Sequence, residues 1–131
     1  MRDAVQEWIK QATEELKIAR YLFDGDYFKG TCYHAQQSIE KTMKARLFQK
    51  GWELEKTHSI GRLVALGKDY KIKFKMSDED VVFVDHIYRG RYPLETGLLP
   101  LGEPSRADAE RALTIGERLL TGGKKLVVSR E

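Results

Sequence analysis

Apolar residues recur every three or four positions over most of this chain, the period of an α-helix and not the alternation of a strand. Val5, Trp8, Ile9, Ala12, Leu16, Ala19, Leu22 and Phe23 form one wide stripe, which predicts a helix from about Asp3 to Phe23 with Asp3 as its N-cap. Asp24-Gly25-Asp26 breaks the stripe, and Gly25 is the residue expected to turn left-handed there. Phe28, Cys32, Ala35, Ile39, Met43 and Leu47 repeat the pattern to about Lys50, where Gly51 ends it. Two helices of about 20 residues, each about 30 Å long, joined by so short a turn must lie antiparallel.

Beyond this hairpin the elements shorten. Thr57 is placed to cap a helix running to about Lys68, with Ile60, Leu63, Val64 and Leu66 on its apolar side. From Asp69 to Met76 apolar and basic residues alternate with no evident pairing strand, so this stretch reads as an extended loop. Ser77 opens a fourth helix whose first turn holds Asp78, Glu79 and Asp80, favourable against the helix dipole. Pro93, Pro100 and Pro104 then exclude regular structure from a long connection. Ser105 caps the last helix, which carries Ala109, Ala112, Leu113, Gly116, Leu119 and Leu120 to Gly122-Gly123, and residues 122–131 read as a flexible tail. The pattern therefore predicts an all-α fold: an antiparallel up-down bundle of four to five helices, forming one domain over residues 1–131.

Composition narrows this picture without changing it. A chain of 131 residues with 41% hydrophobic and 33% charged content can bury its own core. No apolar run reaches the roughly 18 residues of a membrane span, and Met1-Arg2-Asp3 leads straight into an amphipathic helix, so a cytoplasmic location is expected. The single cysteine suits a reducing compartment. Asparagine is absent while Lys, Arg and Glu are plentiful, a bias that points towards a thermophilic source. The net charge of +3 is small, but residues 40–75 hold ten Lys or Arg against four acids. That basic middle either steers a phosphate-bearing ligand or is simply a solvated face.

Several chemistries find no support. His34, His58 and His86 lie in different elements with no metal-ligand spacing, and no glycine-rich turn joins a strand to a helix. No cofactor is implied. Cys32 falls on the core side of the second helix and reads as a small buried hydrophobe.

The second helix carries the sharpest pattern. Gln36, Glu40 and Lys44 climb one side beside the apolar stripe at i, i+4 and i+8, with Gln37 and Lys41 further from the core. Glu40 before Lys44 is the favourable order for an intrahelical ion pair. The ladder is expected outside the core, as a solvated margin or as a polar seam facing a partner or a phosphate. Tyr33-His34-Ala35-Gln36-Gln37-Ser38-Ile39-Glu40-Lys41, then Lys44-Ala45 and Thr57-His58-Ser59-Ile60, resemble the signature of the HEPN domain family, over roughly Val5 to Leu119. His58 itself is expected to bond nearby backbone.

A second candidate is the run His86-Ile87-Tyr88-Arg89-Gly90-Arg91-Tyr92-Pro93. His86 and Arg89 lie about 60° apart on a helix. Together they form a candidate catalytic pair for a metal-independent endoribonuclease, the histidine moving a 2′-hydroxyl proton and the arginine stabilising phosphorane charge. Arg91 and Tyr92 would add phosphate contact and base stacking. The HEPN resemblance implies an Arg-x(4–6)-His motif in cleaving members, and no histidine follows Arg89 or Arg91 here. The Arg-Tyr-Pro step is instead similar to short prokaryotic HEPN proteins paired with a minimal nucleotidyltransferase. That resemblance implies a homodimer in a two-component, toxin–antitoxin-like system, with Gln36, Glu40, Lys44, Arg91 and Tyr92 as candidate nucleotide- or partner-binding residues and RNA as a further possible ligand. Whether the chain is an enzyme is open at this level.

Overall fold

The stripes fold as five helices among the described residues, which in this computed structural model are 2–53, 55–89 and 103–129. They are α1 (Arg2–Asp24), α2 (Phe28–Gln49), α3 (Ile60–Asp69), α4 (Asp78–Arg89) and α5 (Arg106–Ser129). The all-α antiparallel bundle is as expected, and α1 and α2 make the hairpin. Ala12, Leu16 and Ala19 of α1 and Cys32, Ala35, Ile39 and Met43 of α2 are fully or almost fully buried. Ser38 stitches the two helices by donating from Oγ to the Ala12 carbonyl at 2.8 Å. α5 lies against both, and Gly116 lets it approach: a Cβ there would stand 3.0 Å from Leu16 Cδ1. The main core forms where α2, α3, α4 and α5 meet, around Ile39, Met43, Leu47, Ile60, Leu63, Val84 and Ile115.

Three helices stop in the same way. The two backbone bonds of a Schellman ending close α1 (Tyr27 N to Leu22 O, 2.8 Å; Asp26 N to Phe23 O, 3.0 Å), α2 (Trp52 N to Leu47 O, 3.1 Å; Gly51 N to Phe48 O, 3.0 Å) and α3 (Ile72 N to Gly67 O, 2.7 Å; Lys71 N to Lys68 O, 3.2 Å). The left-handed residues are Asp26 (φ 66°), Gly51 (φ 104°) and Lys71 (φ 60°). The expected left-handed Gly25 is thus corrected to Asp26. α1 runs through Asp24, which shifts the ending by one residue.

Other boundaries move for similar local reasons. Asp3 lies inside α1, which begins at Arg2, so it is not the cap. Ser59, not Thr57, caps α3, its Oγ accepting from Arg62 N at 3.1 Å, while Thr57 Oγ1 accepts from Ser59 N at 3.2 Å. Ser77 and Ser105 open α4 and α5 as expected, and each also exchanges hydrogen bonds with the acid three residues on, Asp80 and Asp108. The expected tail from residue 122 is also corrected, since α5 continues through both glycines to Ser129. Gly123 is buried there against α2, where a Cβ would meet Thr42 Cγ2 at 2.8 Å. The loop after α3 has no strand partner among the described residues, but Ile72 and Phe74 plug into the main core.

Candidate functional site

α2 carries Gln36, Glu40 and Lys44 one turn apart, and they are buried at 0%, 5% and 7% exposure. The expected position outside the core is therefore corrected. α2 packs against all four other helices, so its polar margin is covered by neighbours instead of water. Burying a carboxylate and an ammonium is costly unless every polar atom is satisfied. Here Glu40 Oε1 accepts from Gln36 Nε2 at 3.2 Å, and Glu40 Oε2 accepts from Lys44 Nζ at 2.9 Å. Gln37 Nε2 donates to Gln36 Oε1 at 2.7 Å, and Lys44 Nζ stands 5.7 Å from the Trp8 ring centre of α1. No buried side-chain nitrogen or oxygen among the described residues lacks a partner.

His58 joins this network from another element. Its Nδ1 lies 3.0 Å from Glu40 Oε2, and because a carboxylate accepts, Nδ1 is the donor. The bond replaces the expected contact with nearby backbone. On its other side the imidazole stacks on Tyr88 of α4, with ring centres 5.0 Å apart and planes 17° from parallel. The His58 side chain is 55% exposed, whereas that of Glu40 is 7% exposed. The buried ladder thus reaches the surface at an oriented imidazole.

Asp85 holds that imidazole in place indirectly. Its carboxylate leaves α4 to accept from Ile60 N at 2.7 Å and Gly61 N at 3.0 Å, satisfying the first N–H groups of α3. Ser59 caps the next one, so the segment bearing His58 is fastened to α4 immediately beside it. Sequence reasoning missed Asp85 because its partners lie 24 and 25 residues away.

A second cluster ties α1 to α2. Glu15 accepts from Lys41 Nζ at 2.7 Å and lies 2.7 Å from His34 Nδ1. Burial pushes the Glu15 carboxyl up, but the hydrogen bonds from His34 and Lys41 outweigh it and hold the group below its ordinary value. Cys32 is buried beneath α5. Its thiol is pushed up to about 12, first by burial and then by Asp108, so it is no nucleophile.

His86 is half-buried on α4 and lines an open groove of about 420 Å³ with Asp78, Glu79, Val82, Phe83 and Arg111. Among the described residues, the guanidinium in this groove comes from Arg111 of α5. Arg111 lies over the Phe83 ring at 4.4 Å and donates to Asp80 at 3.2 Å. Asp78 and Glu79 place negative charge where a phosphodiester would have to sit. Arg89 ends α4, and its side chain, with Arg91 and Tyr92, lies outside the described residues. Among the described residues no three His, Cys, Asp or Glu side chains gather as a metal site, and no helix is long and apolar enough to cross a membrane.

A helical hairpin with a Gln-Gln-x-x-Glu-Lys ladder closed by a Thr-His-Ser turn defines a recognisable class. Residues 5–126 match the HEPN domain family, and the chain belongs to it. A protein of Methanocaldococcus jannaschii named "Putative toxin" is 28% identical over 123 residues, spanning 86% of this chain and 81% of that protein. The crystal structure of an archaeal HEPN homologue superposes with a TM-score of 0.66 at 26% identity, covering 94% of this chain and 97% of that one.

Proposed function

We propose that this chain is the HEPN component of a two-component, toxin–antitoxin-like system in the cytoplasm, acting as a homodimer that binds a minimal nucleotidyltransferase and engages a nucleotide. The name carried by the Methanocaldococcus jannaschii relative supports the toxin-like reading. The observation that carries the nucleotide is the His58 imidazole, bonded through Nδ1 to the buried Glu40 and stacked on Tyr88. A ring fixed on one edge and exposed over more than half its surface, when both its nitrogens carry protons, donates from Nε2 to a phosphate with little ordering cost. Gln36, Glu40 and Lys44 then serve by positioning His58 and not by touching the ligand, and Arg91 and Tyr92 follow Tyr88 in the chain as a further phosphate contact and a base-stacking ring.

The acidic groove around His86 counts against cleavage of RNA by His86 and Arg89. The test mixes the purified chain with the nucleotidyltransferase encoded beside it and measures complex mass by light scattering, with ATP titrated by calorimetry. A stable complex, and an ATP heat reduced at least about tenfold in affinity by His58→Ala, are expected. Separate elution with no ATP heat would overturn the reading.

A further inference from the structure

We infer that Lys71, Lys73 and Lys75 form a contact strip for the phosphodiester backbone of double-stranded nucleic acid. The inference does not depend on the nucleotidyltransferase or on His58. Between Tyr70 and Ser77 the chain alternates strictly: Ile72 and Phe74 are buried in the main core, while Lys71, Lys73 and Lys75 are exposed. The apolar pair acts as two anchors that fix the backbone and leave three ammonium groups on the outer side. Three exposed lysines within five residues concentrate positive charge on one short segment, as contact with a dense row of phosphates requires.

The surroundings reinforce the charge. Arg46 of α2 lies over the Phe74 ring at 5.1 Å, and Arg118 of α5 donates to the Lys75 carbonyl at 2.9 Å. Lys68 is exposed at the end of α3. Acids flank the strip without entering it: Asp69 precedes it, Asp78 and Glu79 follow, and Asp80 is already bound to Arg111 and Arg118. Lys71 supplies an independent sign. It occupies the left-handed terminator of α3 at φ 60°, a position glycine fills at less strain, so a cation stands where the backbone favours no side chain.

The composition of the strip selects the partner. Ile72 and Phe74 point inward, so no apolar side chain is offered to a bilayer, and Tyr70 is half-buried against the core. Without an exposed ring for stacking, single-stranded bases have nothing to rest on. Lysines alone read charge, which a duplex backbone supplies at high density.

The experiment titrates the full chain into a fluorescently labelled 20-base-pair RNA duplex and into the DNA duplex of the same sequence, at 50 to 200 mM salt. Binding is expected to weaken with salt, with a log–log slope that falls by about 0.9 for each lysine removed. Lys71→Gln, Lys73→Gln and Lys75→Gln together should weaken binding at least about tenfold, while the triple arginine variant retains it. Lys71→Gly separates folding from binding, since it should raise the melting temperature while lowering affinity. Comparable affinity for the two duplexes assigns the strip to backbone in general, and a preference for one assigns it to that helix form. No duplex binding at 50 mM salt, equal binding by the triple glutamine variant, or binding to phosphatidylserine vesicles without duplex binding would overturn the inference.

Discussion

Two carboxylate–cation clusters of similar make-up sit at different depths in this molecule. Glu40 joins Lys44, Gln36 and His58 inside the bundle, while Asp80 at the start of α4 joins Arg111 at 3.2 Å and Arg118 at 3.4 Å on the surface. Geometry barely distinguishes them; water does. Around Asp80 both guanidinium groups remain about two-fifths exposed, so solvent replaces much of what a lost bond would cost. Glu40 and Lys44 have little solvent to stand in, and removing either one strands the other as a buried charge. The same chemistry is therefore a surface clasp in one place and, in the other, a brace that a single substitution can turn against the fold.

The largest effect follows from stranding Lys44. Glu40→Ala should lower stability by about 3–5 kcal/mol in urea unfolding, because it leaves an ammonium buried without its carboxylate. Replacing Glu40 and Lys44 together by leucine should recover most of that loss while freeing the His58 ring, which nuclear magnetic resonance would detect as a lost Nδ1 hydrogen bond. A double variant as unstable as the single one would show that the brace stabilises through His58 and not through Lys44.

A smaller effect separates the clusters by pH. Glu15, held low by His34 and Lys41 against the opposing effect of burial, has a folded value below that of the unfolded chain. Its contribution is fully present above the ordinary carboxylate range and is lost as pH falls through the depressed folded value. Asp80 behaves with the same sign: burial raises it, but the Ser77 backbone N–H and the two arginines lower it further. In melting temperatures measured from pH 7 down to pH 2, Glu15→Gln should flatten the acid limb, and Asp80→Asn should flatten it less because its cations are more solvated. The smallest effect is expected from Arg111→Ala, at most about 1 kcal/mol, since Asp80 keeps Arg118 and its own backbone bond. A larger loss would assign the difference to the stacking of Arg111 on Phe83.

The helices were legible because their apolar spacing is a local property. Their ends were less so, and the misses share a cause. Gly25 is the residue best suited to a left-handed turn, yet α1 extends through Asp24 and places Asp26 there instead. Gly122-Gly123 reads as a stop, yet the helix continues, and at Gly123 α2 lies so close that a Cβ would meet Thr42 Cγ2 at 2.8 Å. The depth of the Gln36-Glu40-Lys44 ladder was hidden for the opposite reason. A polar residue beside an apolar stripe normally faces water, and only the number of neighbours around α2 covers it. One signal was available in Thr31, Ser38 and Thr42, small polar residues that share the face of α2 opposite Glu40 and so suit a helix enclosed on more than one side. The bond from Glu40 to His58 spans 18 residues and two elements, a distance that no local period encodes.

Because α2 touches every other helix, no fluctuation that lifts one element away can bare its whole length. Backbone amides from Ala35 to Ala45 should accordingly be the last to trade protons for deuterons, doing so only when the entire molecule opens. Their exchange rates would read the total unfolding free energy directly, whereas those of the outer end of α4 would report a shallower, local opening. The central position of one rod thus makes the protein's weakest and strongest moments separable by a clock.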